Sequence, residues 1–385
     1  MSQLLRQYKE TRAYSESLCE PLETEDYVPQ PAEFVSPPKW HLAHTTWFFE
    51  ELLLKGYYKN YKIFHNKYSY LFNSYYNTVG ERTGRAKRGN LSRPTVKNVY
   101  QYRHYVDKFM EICIKDNIGN TEFIKLVVLG LNHEQQHQEL LITDLKYTLG
   151  LNPLFPVYKA HYSLVDDIQK EKPVFIKIDA GDYQIGADNN SFSYDNEHNR
   201  HQVYLDDYQI SSELVTNEAY LTFVNNGGYD NFNYWHDEAL AWLAQYNIRH
   251  PLYWRKIEDK WYQYTLSGLK PLEPKAYLSH ISYYEANAFA LWQGLRLPTE
   301  EEWEIASPKF QWGLRWEFTQ SAYTPYPGFK TAKGAVGEYN GKFMVNQKVL
   351  RGASRATYPG HSRPTYRNFF HPHMRWQLTG IRLAK

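Results

Sequence analysis

Cysteine is scarce, with Cys19 and Cys113 the only two among 385 residues. That excludes a disulfide-stapled scaffold and points to a reducing, cytoplasmic setting. Long apolar runs are missing as well: none approaches the ~20 residues a membrane-spanning helix needs. The opening MSQLLRQYKETRAYSE has no apolar signal core. Charge of one sign is not in excess, 44 basic residues standing against 42 acidic. With no basic stripe or acidic tail, neither nucleic acid nor a membrane surface is expected as a partner. Internal repeats and low-complexity tracts are absent, and oligomeric state is not legible.

What the chain has in quantity is aromatic side chains: 35 Tyr, 19 Phe and 11 Trp. Such rings pack a loop-rich fold, or line a pocket for a ring-bearing or cationic ligand. Composition alone favours packing. With 42% hydrophobic and 22% charged residues the chain has the make-up of a folded protein, and its length suits about two domains.

The periodicity predicts an α+β protein. A first helix spans Leu4 to Leu18. Ser36 and Pro37 serve as N-cap and first turn of a second, WHLAHTTWFFEELLLKG, which Gly56 closes. Ser92 or Pro94 opens a third through Tyr105 and Ile112. The fourth runs from Asn120 or Thr121 to Gly150, with Ile124, Val127, Val128, Leu131, Leu140 and Leu145 in helical phase. Four such helices suggest a bundle, whose core is a usual place for a metal. After residue 155 the pattern shortens: PVFIKIDAGDYQIG and HQVYLDDYQIS alternate as strands do. TNEAYLTFVNNGGY and SYYEANAFALWQGLRLPTEEEWEIAS read as one helix each, and KVLRGAS and LTGIRLA as closing strands. The expected domains are residues 1–160 and 173–385, with the boundary in 155–172.

The sharpest local signal is LNHEQQHQELL. His133 and His137, four apart, lie on one helical face together with Leu126, Gly130 and Leu140, and can share one ion. Glu134 and Gln138 are expected to point outward. A third ligand could be His41 or His44 in KWHLAHTTWFFE, between which spacing does not choose, or Glu139. A set of three leaves further positions for thiolate, substrate or O₂. The same H-E-Q-Q-H matches the zinc peptidase motif, which needs Glu134 over the metal as general base. Two histidines hydrogen-bonded in a polar core layer are the plainer alternative.

Taken together, KWHLAHTTWFFE, LFNSYYNTVGERTGRAKRGNLSRP, GLNHEQQHQELL, GLRLPTEEEWE, SAYTPYPGF and RPTYRNFF…RWQLTGIRLA resemble the sulfoxide synthases of ergothioneine biosynthesis, the EgtB family, over nearly the whole chain. The resemblance implies a DinB-like four-helix bundle followed by a formylglycine-generating-enzyme-type, C-type-lectin-like domain. It implies Fe(II) on His44, His133 and His137, selecting His44 over His41. The implied reaction uses O₂ to join the sulfur of cysteine or γ-glutamylcysteine to C2 of hercynine (Nα-trimethylhistidine) as a sulfoxide.

The resemblance further implies Tyr75 and Tyr76 as proton donors, with Tyr323 and Tyr326 as alternatives. Arg85 and Arg88 are placed on the thiol donor's carboxylate, for which a guanidinium fork is suited. Gln136 falls beside the substrate and Asn368 on its carboxylate. Phe369 and Phe370 offer aromatic faces to the trimethylammonium group. Relatives using γ-glutamylcysteine tend to carry Trp-Asp at this last pair, so the missing acid favours cysteine. Histidine as acceptor (ovothiol-type) and a selenium donor (selenoneine-type) are variants of the same chemistry. Ovothiol enzymes commonly carry a further methyltransferase domain that these residues lack, which favours hercynine. Readings of other classes are a DinB-type metal-dependent thiol transferase, a formylglycine-generating oxidase and a lectin-like binding module. The oxidase needs a cysteine pair, and both cysteines precede residue 114.

Overall fold

The computed structural model describes residues 2–74, 76, 80, 82–162, 167–188, 191–331 and 340–385. The chain divides into two compact units, one built on Met1–Pro153 and including Thr357–His361, the other on most of the remainder.

The first unit is helical. Helix α1 (Gln3–Cys19) is capped by the Ser2 hydroxyl, which accepts from the Leu5 amide. Helix α2 (Pro38–Phe49) starts one residue later than expected, with Pro37 as N-cap and Pro38 in the first turn. Ser36 is used otherwise: its amide donates to Asp144 and its hydroxyl accepts from Arg88, both at 2.8 Å. After Phe49 the helix widens into a π turn, Glu50–Leu54, and ends as α3 (Lys55–Tyr57). Such turns insert one residue into the helical phase. Buried Glu50 accepts here from the Tyr61 and Tyr102 hydroxyls and the Phe64 amide. A short α4 (Tyr68–Phe72) follows in the tyrosine-rich connection.

Helix α5 (Val96–Asp116) opens at Thr95, not at Ser92 or Pro94. The Thr95 hydroxyl accepts from the Asn98 amide while Asn98 returns the bond to the Thr95 amide, a reciprocal cap that neither earlier residue forms. Helix α6 (Thr121–Gly150) is capped by Asn120, as expected. Gly130 lets α2 and α6 approach closely: a Cβ there would lie 2.6 Å from the Phe49 ring. Thr357–His361 docks on the same unit. Thr357 donates to Glu139, His361 Nδ1 lies 2.9 Å from Gln135 Oε1, and Tyr358 packs edge-on against Tyr14.

The second unit is a set of small sheets with short helices. Strands β1 (Phe175–Ile178) and β4 (Tyr208–Ser211) pair antiparallel, as do β2 (Gly181–Ile185) and β3 (His201–Leu205). Helices α7 (Asn217–Asn225) and α8 (Asp237–Tyr246) precede a meander of β5 (Trp254–Ile257), β6 (Lys260–Thr265) and β7 (Gly268–Pro271). Neither α8 nor the meander was expected. SYYEANAFALWQGLRLPTEEEWEIAS makes two helices rather than one, α9 (Tyr283–Trp292) and α10 (Glu300–Ala306). Gly294, at φ +67°, leaves the helical region, and Thr299 caps the new helix against Glu302. The last sheet runs β10 (Asn368–Phe370), β9 (Lys348–Gly352), β8 (Trp316–Ala322), β11 (Thr379–Gly380), with β11 parallel to β8. Its core holds buried ion pairs of Glu300 with Arg351 and Arg367, and of Glu317 with Arg382. No helix among the described residues is long and apolar enough to cross a membrane.

Candidate metal centre

Helices α2 and α6 bring three imidazoles together. Ring centroids of His44, His133 and His137 form a near-equilateral triangle with sides of 4.9, 4.7 and 4.6 Å. One nitrogen of each can be chosen so that all three lie within 4.8 Å of one another. His44 and His133 are buried, while His137 is partly open.

Each ring is held from outside. His44 is sandwiched between Trp40 (centroids 4.4 Å, 14°) and Trp47 (5.4 Å, 15°), and Phe48 lies against His133 at 4.7 Å. Trp40 and Phe48 are four residues either side of His44, so one face of α2 supplies the imidazole and its walls. The carbonyl of Phe72 lies 2.6 Å from His44 Nδ1. A carbonyl only accepts, so Nδ1 carries the proton and Nε2 presents its lone pair inward. That Nε2 lies 3.2 Å from Nε2 of His133.

Electrostatics keep the rings neutral. Burial pushes His133 down to about 3, against the opposing pull of Glu134. Burial and then His133 hold His44 well below the ordinary imidazole value, and burial with the neighbouring imidazoles of His133, His44 and His41 does the same for His137. Neutral imidazole is the form that binds metal. With metal–nitrogen bonds of about 2.1 Å, two ligands at right angles sit about 3.0 Å apart and tetrahedral ones about 3.4 Å. The observed 3.2 Å falls between them, so the residues present fit a divalent cation.

The other two ligand candidates have different partners. Glu139 accepts from Thr357 at 2.7 Å. His41 lies behind the triangle, its Nδ1 2.9 Å from Nδ1 of His137 and its Nε2 3.1 Å from Asp144. Glu134 corrects an expectation. It turns away from the histidines yet is fully buried, accepting from Arg12 Nη1 (2.9 Å), Arg103 Nη2 (2.6 Å) and the Ser15 hydroxyl (2.6 Å). Burial alone would raise its carboxyl, but Arg103 and Arg12 outweigh it and hold the group at about 2. A carboxylate so committed is no general base over a metal, which removes the peptidase reading. Gln138 is buried too, donating to the Thr11 carbonyl and the Ser15 hydroxyl.

Arg88 is buried with its guanidinium 3.4 Å over the Trp40 ring, donating to the hydroxyls of Ser36 and Ser74. Arg85 is exposed and donates to the Phe34 carbonyl. Gln136 is half-buried beside His137. Tyr76 is buried against Trp47 and Phe48, and Tyr75 lies outside the described residues. The remaining expected residues belong to the second unit. Tyr323 accepts from Asn196 Nδ2 at 2.9 Å and stacks on Phe369 at 4.1 Å. Tyr326 donates to Glu300 and accepts from Arg351. Asn368 Oδ1 accepts from the Phe369 amide, and Phe370 packs edge-on against Trp376.

Two family models match the chain: the DinB superfamily over residues 7–141, and the sulfatase-modifying factor enzyme 1-like domain over residues 162–315. Curated relatives include hercynine oxygenases of Mycolicibacterium smegmatis, Mycolicibacterium thermoresistibile and Mycobacterium tuberculosis. Each is 26% identical over 66% of this chain, covering 70%, 67% and 70% of the relative. The chain belongs to the EgtB family, that of the hercynine oxygenases. In this family member, a DinB-type helical domain carries the histidine triangle and a sulfatase-modifying-factor-type domain follows, an α+β arrangement as expected.

The residues not anticipated are Trp40, Trp47, Phe48, the Phe72 carbonyl and Asp144. A signal existed for Asp144, which lies seven positions after His137 and so on the same helical face.

Proposed function

We propose that this oxidoreductase is an Fe(II)- and O₂-dependent sulfoxide synthase joining a thiol sulfur to C2 of the hercynine imidazole. The histidine triangle in a member of this family is the observation that carries the reading. The reaction balances: imidazole C–H, thiol S–H and O₂ give the C–S bond, the sulfoxide oxygen and one water. Iron on His44, His133 and His137 would supply thiolate activation and O₂ reduction.

The protein's own groups orient the partners and manage protons. In this reading Arg85 and Arg88 hold the thiol donor's carboxylate. Gln136 and Asn368 hold hercynine, and Phe369 and Phe370 face its trimethylammonium group. Tyr75, Tyr76 and Tyr323 are the proton donors considered. Between Tyr323 and Tyr326 the hydrogen bonds favour the former. Its oxygen accepts from Asn196, which leaves its own proton available, whereas the Tyr326 proton goes to Glu300. Free cysteine is favoured as donor because the pair at 369–370 offers no acid for an α-ammonium group. The setting proposed is cytoplasmic.

The test is anaerobic reconstitution with Fe(II), then O₂ with hercynine and either cysteine or γ-glutamylcysteine, products read by mass. The expected mass is hercynine plus donor plus one oxygen minus two hydrogens. Cysteine sulfinate alone would show the wrong acceptor, with histidine the next to try. No iron-dependent O₂ consumption with any pair, a selenol donor included, would overturn the reading in favour of a thiol transferase.

A further inference from the structure

Behind the triangle runs a chain of two side chains, Asp144 and His41, anchored by the Ser36 backbone amide, that none of the assigned roles uses. Asp144 Oδ2 accepts from the Ser36 amide at 2.8 Å, and the same oxygen lies 3.1 Å from His41 Nε2. An oxygen already accepting from an amide accepts from the imidazole as well, so His41 carries its proton on Nε2. A neutral imidazole has one such proton, and His41 Nδ1 is therefore an acceptor. The group facing it at 2.9 Å is Nδ1 of His137, which must then donate, leaving the lone pair of His137 on Nε2. Asp144, His41 and Ser36 are all buried, so water does not compete for these bonds.

We propose that Asp144 and His41 are positioning residues that set the tautomer of His137, so that it offers Nε2 to the metal. The proposal rests on the metal-centre reading above. His137 is the ligand that needs such a device. His44 has its outer nitrogen fixed by a backbone carbonyl, which cannot reverse, whereas an imidazole partner can be donor or acceptor. Asp144 removes that freedom from two helical turns further along α6. Outer partners of this kind change metal affinity about 10–100-fold when removed.

The experiment is a Co(II) titration of the full chain, followed by the visible ligand-field bands, for wild type, His41→Phe and His41→Gln. Melting of the metal-free proteins serves as the structural control. His41→Phe is expected to weaken Co(II) binding by about 10–100-fold. His41→Gln, whose side-chain carbonyl can accept, recovers part of that loss. Equal affinity in wild type and His41→Phe would overturn the relay while leaving the metal centre standing. Wild-type protein that takes up no cobalt would remove the centre and the relay together. If His41→Phe does not fold, the Zn(II)-loaded wild type decides through its long-range ¹H–¹⁵N histidine spectrum. His137 protonated at Nδ1 and bound through Nε2 supports the relay, and the reverse tautomer overturns it.

Discussion

On one face of α6, His133 and His137 meet His44 across α2, three groups of one kind gathered with aromatic walls. On the other, Glu134 and Gln138 meet Arg12, Arg103, Ser15 and the Thr11 carbonyl, with opposite charges matched and donors matched to acceptors. The second face has its charges and its donors matched within the protein, with Gln138 Oε1 meeting no donor among the described residues. The first has ligand atoms converging on a common point, an arrangement that a cation completes. Burying like groups together costs stability unless something joins them, so the difference separates a face built to bind from one built to hold α1, α5 and α6 together.

Removing any one of His44, His133 or His137 as alanine should break the comparison most severely. Iron measured by elemental analysis and iron-dependent O₂ uptake should both be lost, while full activity of His133→Ala would sink the metal assignment. Glu134→Ala takes from two buried guanidinium groups the carboxylate they share, leaving Arg12 with Asp107 and Arg103 with Glu16, and should cost about 3 kcal/mol in urea unfolding. An unchanged unfolding midpoint would deny that this face is structural.

Glu300 in the second unit tests the same rule away from the histidines. Burial would raise it, but Arg367 and Arg351 prevail and hold it below the ordinary carboxylate range. Its contribution is therefore complete above about pH 4.3 and lost as pH falls through the depressed value. Glu300→Gln should melt well below wild type at pH 7, the gap narrowing towards pH 3; a constant gap would refute it. Smallest of all, Gln138→Ala should cost on the order of 1 kcal/mol with Co(II) affinity unchanged, and a shifted affinity would show the two faces to be coupled.

Sequence periodicity reached the four long helices and the His133/His137 pair because both follow from 3.6-residue spacing alone. It could not separate His41 from His44. The two are one turn apart and both buried, and only their partners, Asp144 against the Phe72 carbonyl, tell them apart. Glu134 departs from the outward orientation that helical phase implies for a related reason. A single helix shows where its charges lie, not whether arginines from α1 and α5 will come to meet them. The α8 helix and the β5–β7 meander have signals of their own, HDEALAWLAQY and the alternation in KWYQYT, but each is short and set among irregular segments.

The docking of Thr357–His361 also bears on how the protein is made. The hydroxyl that Glu139 accepts from is translated 218 positions after it. At about 5–20 residues per second, that is roughly 10–45 s between the synthesis of the helix carrying His133 and His137 and the arrival of Thr357. For that interval the nascent helical domain exists as an unfinished article, its α6 surface exposed to whatever else the ribosome exit offers.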